Sequence, residues 1–153
     1  MVFHGIAIVR APTRVPALRP PPQISAIDGL KILLVEDDED VLVATASLLR
    51  RWGCEVQPET STPSTIGPCD ILITDFDLGD RTTGSDCIRT VRAHNRDAAV
   101  IVITGHDAGR VKEDIDDPSI PILLKPLRPA ELRSVIMAKA MATRTPAARF
   151  SPR

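Results

Sequence analysis

The sequence predicts a doubly wound α/β fold, a five-stranded parallel sheet with helices on both faces. Three observations predict it. Short, wholly apolar runs recur along the chain, as strands buried on both faces require. Stretches of helical periodicity alternate with them, the order that builds crossover connections. The runs end in carboxylates, a hydroxyl and an ammonium, and in open parallel sheets working groups collect beyond the carboxyl ends of the strands.

The first strand is read in KILLV, residues 31–35. Val41, Ala44, Thr45, Leu48, Leu49 and Trp52 then recur at helical spacing and stop at Gly53, a residue type that terminates helices. CEVQ (54–57) supplies a second strand. In PETSTPSTIGPC (58–69), Pro58, Pro63, Gly67 and Pro68 leave no room for a helix of roughly ten residues. The second helix is therefore expected to be shortened or missing, with an irregular loop in its place. DILIT (70–74), AVIVIT (99–104) and IPILL (120–124) complete the strands. Helical stretches are predicted over 85–93, 107–116 and 129–142, the last with Pro129 at a favourable first position.

With 153 residues the chain has room for one core. That domain is placed at residues 30–142. Residues 1–29 carry Pro12, Pro16, Pro20, Pro21 and Pro22 among Arg10, Arg14 and Arg19, and an extended, flexible arm is expected there; 143–153 is read as a similar tail. All 20 acidic residues fall between Asp28 and Glu131, among 11 Lys and Arg, so the core is acidic and the ends basic. The arms' charge density is low, and neither a nucleic acid nor a membrane partner is expected. No apolar run approaches the roughly 20 residues that span a bilayer, and no export signal is read. Cys54, Cys69 and Cys87 lack metal-type spacing and are expected to be buried, reduced thiols, which fits the cytoplasm.

The chemistry lies in ILITDFDLGD (71–80), an apolar run aimed at Asp75, Asp77 and Asp80. The first strand ends in Glu36 and Asp37, the fourth in Thr104, the fifth in Lys125. Singly these are ordinary N-caps and solvated groups. Together, clustered carboxylates repel unless a cation sits between them, and oxygen ligands suit Mg²⁺. A metal on Glu36 and Asp37 would let Asp75 act as a nucleophile towards a phosphoryl group, with Lys125 and the Thr104 hydroxyl binding its oxygens.

LLVEDD, ILITD, VIVITGH and LLKP, in this order and spacing, resemble the receiver domain of bacterial two-component response regulators over about residues 30–142. The resemblance implies a flavodoxin-like fold, with Glu36 and Asp37 as the acidic pair near Mg²⁺ and Asp75 as the phosphoacceptor. It implies that Asp77 offers its backbone carbonyl to the metal, that Thr104 is the switch hydroxyl and that Lys125 contacts the phosphate. The implied donor is a histidine kinase or a phosphotransfer protein, and output is expected through contact with a downstream protein or a second copy. Beyond its own phosphorylation and dephosphorylation, no enzyme activity is expected.

Departures from the family pattern are specific. GDRTTG (79–84) replaces the usual Pro-Gly type of turn, and Ile122 stands where an aromatic is typical, in a chain without tyrosine. Asp77 and His106, two positions beyond Asp75 and Thr104, would border the path of a hydrolytic water. Two rival readings remain. DFDLGD also resembles the nucleophile motif of haloacid-dehalogenase-type phosphatases, although EDD precedes it and no cap domain fits. A docking module that ignores phosphate is favoured by the missing helix and Ile122, and disfavoured by the complete set of Glu36, Asp37, Asp75, Thr104 and Lys125.

Overall fold

The computed structural model describes residues 25–79 and 82–144, together with residues 5, 7, 11 and 12, and Arg144 through its backbone alone. Most of the expected arm, nearly all of the tail, and Asp80 lie outside the described residues. The elements run β1 (Lys31–Val35), α1 (Glu39–Arg51), β2 (Glu55–Glu59), β3 (Ile71–Asp75), α2 (Gly84–His94), β4 (Ala99–Thr104), α3 (Ala108–Ile115), β5 (Ile122–Leu124) and α4 (Pro129–Arg144). All five strands pair in parallel in the order β2-β1-β3-β4-β5. This is the doubly wound sheet that the alternation predicts.

Alternate residues of each strand feed opposite faces, so every central strand serves two cores. Ile32, Leu34, Ile73 and Ile103 pack with Leu42 and Leu49 of α1 and with Leu132 and Ile136 of α4. Leu33, Val35, Leu72 and Val102 pack instead with Cys87 and Val91 of α2 and Val111 of α3. Helix starts follow local chemistry. Asp38 caps α1 by accepting from the Asp40 and Val41 N–H groups, and Thr83 and Asp86 form a reciprocal capping box on α2.

No helix lies between β2 and β3, as the prolines predict. The sheet tolerates this because β2 is apolar on one face only. Register sets Glu55, Gln57 and Glu59 beside Lys31, Leu33 and Val35, on the face where a second helix would sit, whereas Val56 turns to the α1 side. Polar residues there need no cover. What remains of the gap is closed by Ile66 and Cys69, which pack onto the α2–α3 core. Asn95, at the end of α2, holds the loop: its Oδ1 accepts from the Cys69 N–H at 3.2 Å and its Nδ2 donates to the Gly67 carbonyl at 3.1 Å.

Three expectations need adjustment. The packed fold starts before residue 30, since Ile27 is fully buried and the Gly29 N–H donates to the Gly53 carbonyl at 2.8 Å. Gly53 itself has φ +94, and a Cβ there would collide with the Asp28 side chain. β2 runs on through Pro58, which an edge strand accommodates because its missing N–H faces no partner. Cys54 and Cys87 are buried as expected, but Cys69 is only half-buried because it belongs to the loop that replaces a helix. All three thiols are free, and burial pushes each one's pKa up.

Candidate functional site

Parallel register builds the site like a staircase along the carboxyl edge of the sheet. Asp75 lies opposite Ile103, one residue before Thr104, and Thr104 lies opposite Leu124, one residue before Lys125. The Lys125 N–H donates to the Thr104 carbonyl at 2.8 Å. On the other side, the Glu36 N–H donates to the Glu59 carbonyl at 3.0 Å, continuing β1 past its last assigned residue. Glu36, Asp75 and Thr104 are all buried, which for the two carboxylates is unusual unless they are paired.

Lys125 supplies the pairing. Its Nζ lies 2.6 Å from Asp75 Oδ2 and 3.0 Å from Glu36 Oε2. Burial works to lower the Lys125 pKa, but its hydrogen bonds to Asp75 and Glu36 outweigh that and hold it above the ordinary lysine value. Glu36 is raised from 4.5 to about 7, chiefly by burial and further by the charge of Asp75, against the opposing hydrogen bond from Lys125. One ammonium is thus insufficient for the acids around it.

Glu36, Asp37 and Asp75 each place a carboxylate oxygen within 4.8 Å of the others. The donors are all oxygen, with no thiol or imidazole among them, and Asp37 leaves the cluster open to solvent. That donor set fits a hard cation that keeps part of its water shell, such as Mg²⁺.

The connection after β3 is a small hairpin. Asp77 and Thr83 form an antiparallel bridge, the Leu78 N–H donates to the Thr82 carbonyl, and the Thr82 N–H to that of Gly79. Gly79 turns it with φ +67, and a Cβ there would lie 3.7 Å from Asp37 Oδ2. Gly84, missed as a functional position, is the tighter constraint. A Cβ on it would stand 2.9 Å from the Asp75 carbonyl and 3.0 Å from Phe76 Cα, so only glycine lets α2 begin against the end of β3. The legible signal was a glycine directly after the helix cap Thr83.

Asp77 and His106 are brought together. The Asp77 N–H donates to Asp75 Oδ1 at 3.2 Å, and His106 Nε2 lies 2.8 Å from Asp77 Oδ2. The His106 N–H donates to Thr104 Oγ1 at 3.0 Å. Ile122 stands apart, half-buried on β5 opposite Val102, two residues below Thr104.

A family model for the response regulator receiver domain matches residues 32–137. The chain belongs to that family. Among solved structures, a CheY-like receiver domain protein from Methanospirillum hungatei JF-1 is similar at 20% identity, covering 75% of this chain and 96% of its own, with TM-score 0.65. A response regulator receiver protein from Sinorhizobium medicae WSM419 is similar at 23% identity, covering 74% and 96%, with TM-score 0.68. A receiver domain from Clostridium thermocellum is similar at 24% identity, covering 74% and 95%, with TM-score 0.64. No curated protein matches the chain. Membership of the receiver family replaces the dehalogenase-type reading of DFDLGD. Among the described residues, no helix is long and apolar enough to cross a membrane.

Proposed function

We propose that this receiver domain accepts a phosphoryl group on Asp75 from the phosphohistidine of a histidine kinase or phosphotransfer protein. The observation that carries the reading is Lys125, bonded at once to Asp75 and Glu36 within the three-carboxylate cluster. An Asp75 carboxylate oxygen attacks phosphorus; the new P–O bond forms as the P–N bond to the donor imidazole breaks, and the imidazole leaves with that electron pair and takes up a proton. Lys125 exchanges Asp75 Oδ2 for a phosphoryl oxygen, a short movement for an ammonium already in the site. The Thr104 hydroxyl accepts from His106 N–H, which leaves its own proton to donate to another phosphoryl oxygen. Mg²⁺ held by Glu36, Asp37, Asp75 and the Asp77 carbonyl would supply charge neutralisation for the transferring group. Burial of Asp75 limits access by water and so favours transfer over hydrolysis.

The surface beside the acceptor suits a protein donor. A groove of about 710 Å³ lined by Val41, Ala44, Gly105, Lys125, Pro126 and Leu127 opens next to Lys125, and Val43 is exposed on the adjoining helix. Apolar side chains leading to an ionic centre give a donor helix both a seat and a target. Incubation with a small acyl phosphate and Mg²⁺, read by intact mass, should add one phosphoryl group to the wild type and none to Asp75→Asn. Equal labelling of the two would overturn the assignment. A wild type that never labels would leave a phosphate-independent docking module, the reading that Ile122 favours.

A further inference from the structure

Asp75, Asp77, His106 and Thr104, with Phe76 and Ile103 closing the circuit, form a ring around the acceptor. Asp75 Oδ1 accepts from Asp77 N–H at 3.2 Å; Asp77 Oδ2 meets His106 Nε2 at 2.8 Å; the His106 N–H donates to Thr104 Oγ1 at 3.0 Å. Thr104 returns to Asp75 through the sheet, since the Phe76 N–H donates to the carbonyl of Ile103, the residue before it. The only side-chain to side-chain link in this ring is Asp77 with His106. It joins two separate connections, the hairpin after β3 and the turn before α3.

We propose that His106 is a positioning residue for the cation site: by holding the Asp77 side chain it fixes the peptide whose carbonyl completes the ligand set with Glu36, Asp37 and Asp75. The inference rests on the proposed function, both for the Mg²⁺ reading of the Glu36, Asp37 and Asp75 cluster and for the Asp77 carbonyl as a further ligand. Its physical basis is the place of Asp77. This residue follows the buried end of β3 by two positions and opens a hairpin that turns at Gly79 beside Asp37. A loop peptide gains ligand strength when its orientation is settled before the cation arrives, and supporting contacts around a metal ligand act in this way. His106 is well placed for it, because its own backbone is tied to the fully buried Thr104. Both side chains of the link are largely exposed, 72% for His106 and 52% for Asp77, so the effect is modest. The same ring predicts that Thr104, two links from Asp77, influences cation binding without touching the cation.

The test is Mg²⁺ titration of the unphosphorylated full chain by calorimetry, with no phosphodonor present. His106→Ala should weaken Mg²⁺ binding by about threefold to tenfold. His106→Gln, which keeps a donor of similar reach, should recover most of it. Thr104→Val should weaken binding too, and the double variant His106→Ala with Thr104→Val should lose less than the product of the two single effects, because both break one ring. Wild-type affinity in His106→Ala would overturn the inference and leave the cluster reading standing. A wild type that does not bind Mg²⁺, or that binds it equally well as Asp37→Ala, would overturn both.

Discussion

The carboxyl rim of the sheet and its β2 edge have been treated very differently. At the rim, four strand ends deliver buried Glu36, Asp75 and Thr104 and half-buried Lys125 to one edge, all set by the register of β1, β3, β4 and β5. At the edge, an entire helix is replaced by a loop held by Asn95 and two partly buried side chains, Ile66 and Cys69. The difference teaches that this site is carried by central strands. A peripheral helix can be dispensed with once the outer strand turns glutamates and a glutamine, not leucines, towards the empty side.

The largest test of this separation uses the cation. Mg²⁺ at a hundredfold excess over its dissociation constant should stabilise the wild type by about 2.7 kcal/mol if it binds only the native state. Asp37→Ala should abolish the gain in a denaturant melt, while a variant at the β2 edge should keep it. An edge variant that loses the Mg²⁺ response would show that rim and edge are one unit.

A smaller effect follows from Glu36 in metal-free protein. Its folded pKa of about 7 lies above the ordinary 4.5, so folding favours its protonated form. The associated stability is fully present below pH 4.5 and is lost as pH rises to about 7, a decline on the order of 3 kcal/mol. Lys125, raised above its ordinary 10.5, loses its contribution only in the alkaline range, and Asp86 and Asp117, held down chiefly by hydrogen bonds from Thr83 and Ser119 respectively, act below 3.8. The window therefore belongs to Glu36, and Glu36→Gln should flatten it in melts from pH 4.5 to 7. An unchanged slope would place the charge strain elsewhere than the rim.

Sequence and structure agree best where one physical rule dominates. Apolar runs such as AVIVIT admit few alternatives in a chain of this composition, and β4 occupies those residues. Three prolines and a glycine after Gln57 exclude a helix, and none forms. Glu36, Asp75, Thr104 and Lys125 were legible because each sits where a buried run ends, and register then brings them together. The rest depended on relations between distant segments. A glycine after the helix cap Thr83 marks Gly84 without saying that it must clear the Asp75 carbonyl, and no local pattern announces that His106 reaches Asp77 or that the amide of Asn95 stands in for a helix. Pro58 was read only as part of the helix-excluding stretch, whereas it continues β2, because a proline's missing ladder bond costs nothing where its nitrogen faces outward from an edge strand.

Asn95 gives the smallest and sharpest probe of the comparison. Its amide satisfies a backbone N–H at Cys69 and a carbonyl at Gly67, the two points that bring the loop back to the start of β3. Asn95→Ala removes both bonds while leaving α2 and the apolar contacts of Ile66 in place, so the loss should be about 1 kcal/mol, the net worth of ordinary hydrogen bonds at a half-exposed position. Released from its tether, Cys69 should react faster with a thiol reagent, whereas Cys87, fully buried on the inner face of α2, should not. Phosphoryl incorporation at Asp75 should stay within about twofold of wild type, because β3 keeps its register through β1 and β4. A tenfold fall in labelling at saturating Mg²⁺ would mean that the loop steadies β3 and, through it, the acceptor. The missing helix would then be a cost borne by the site itself.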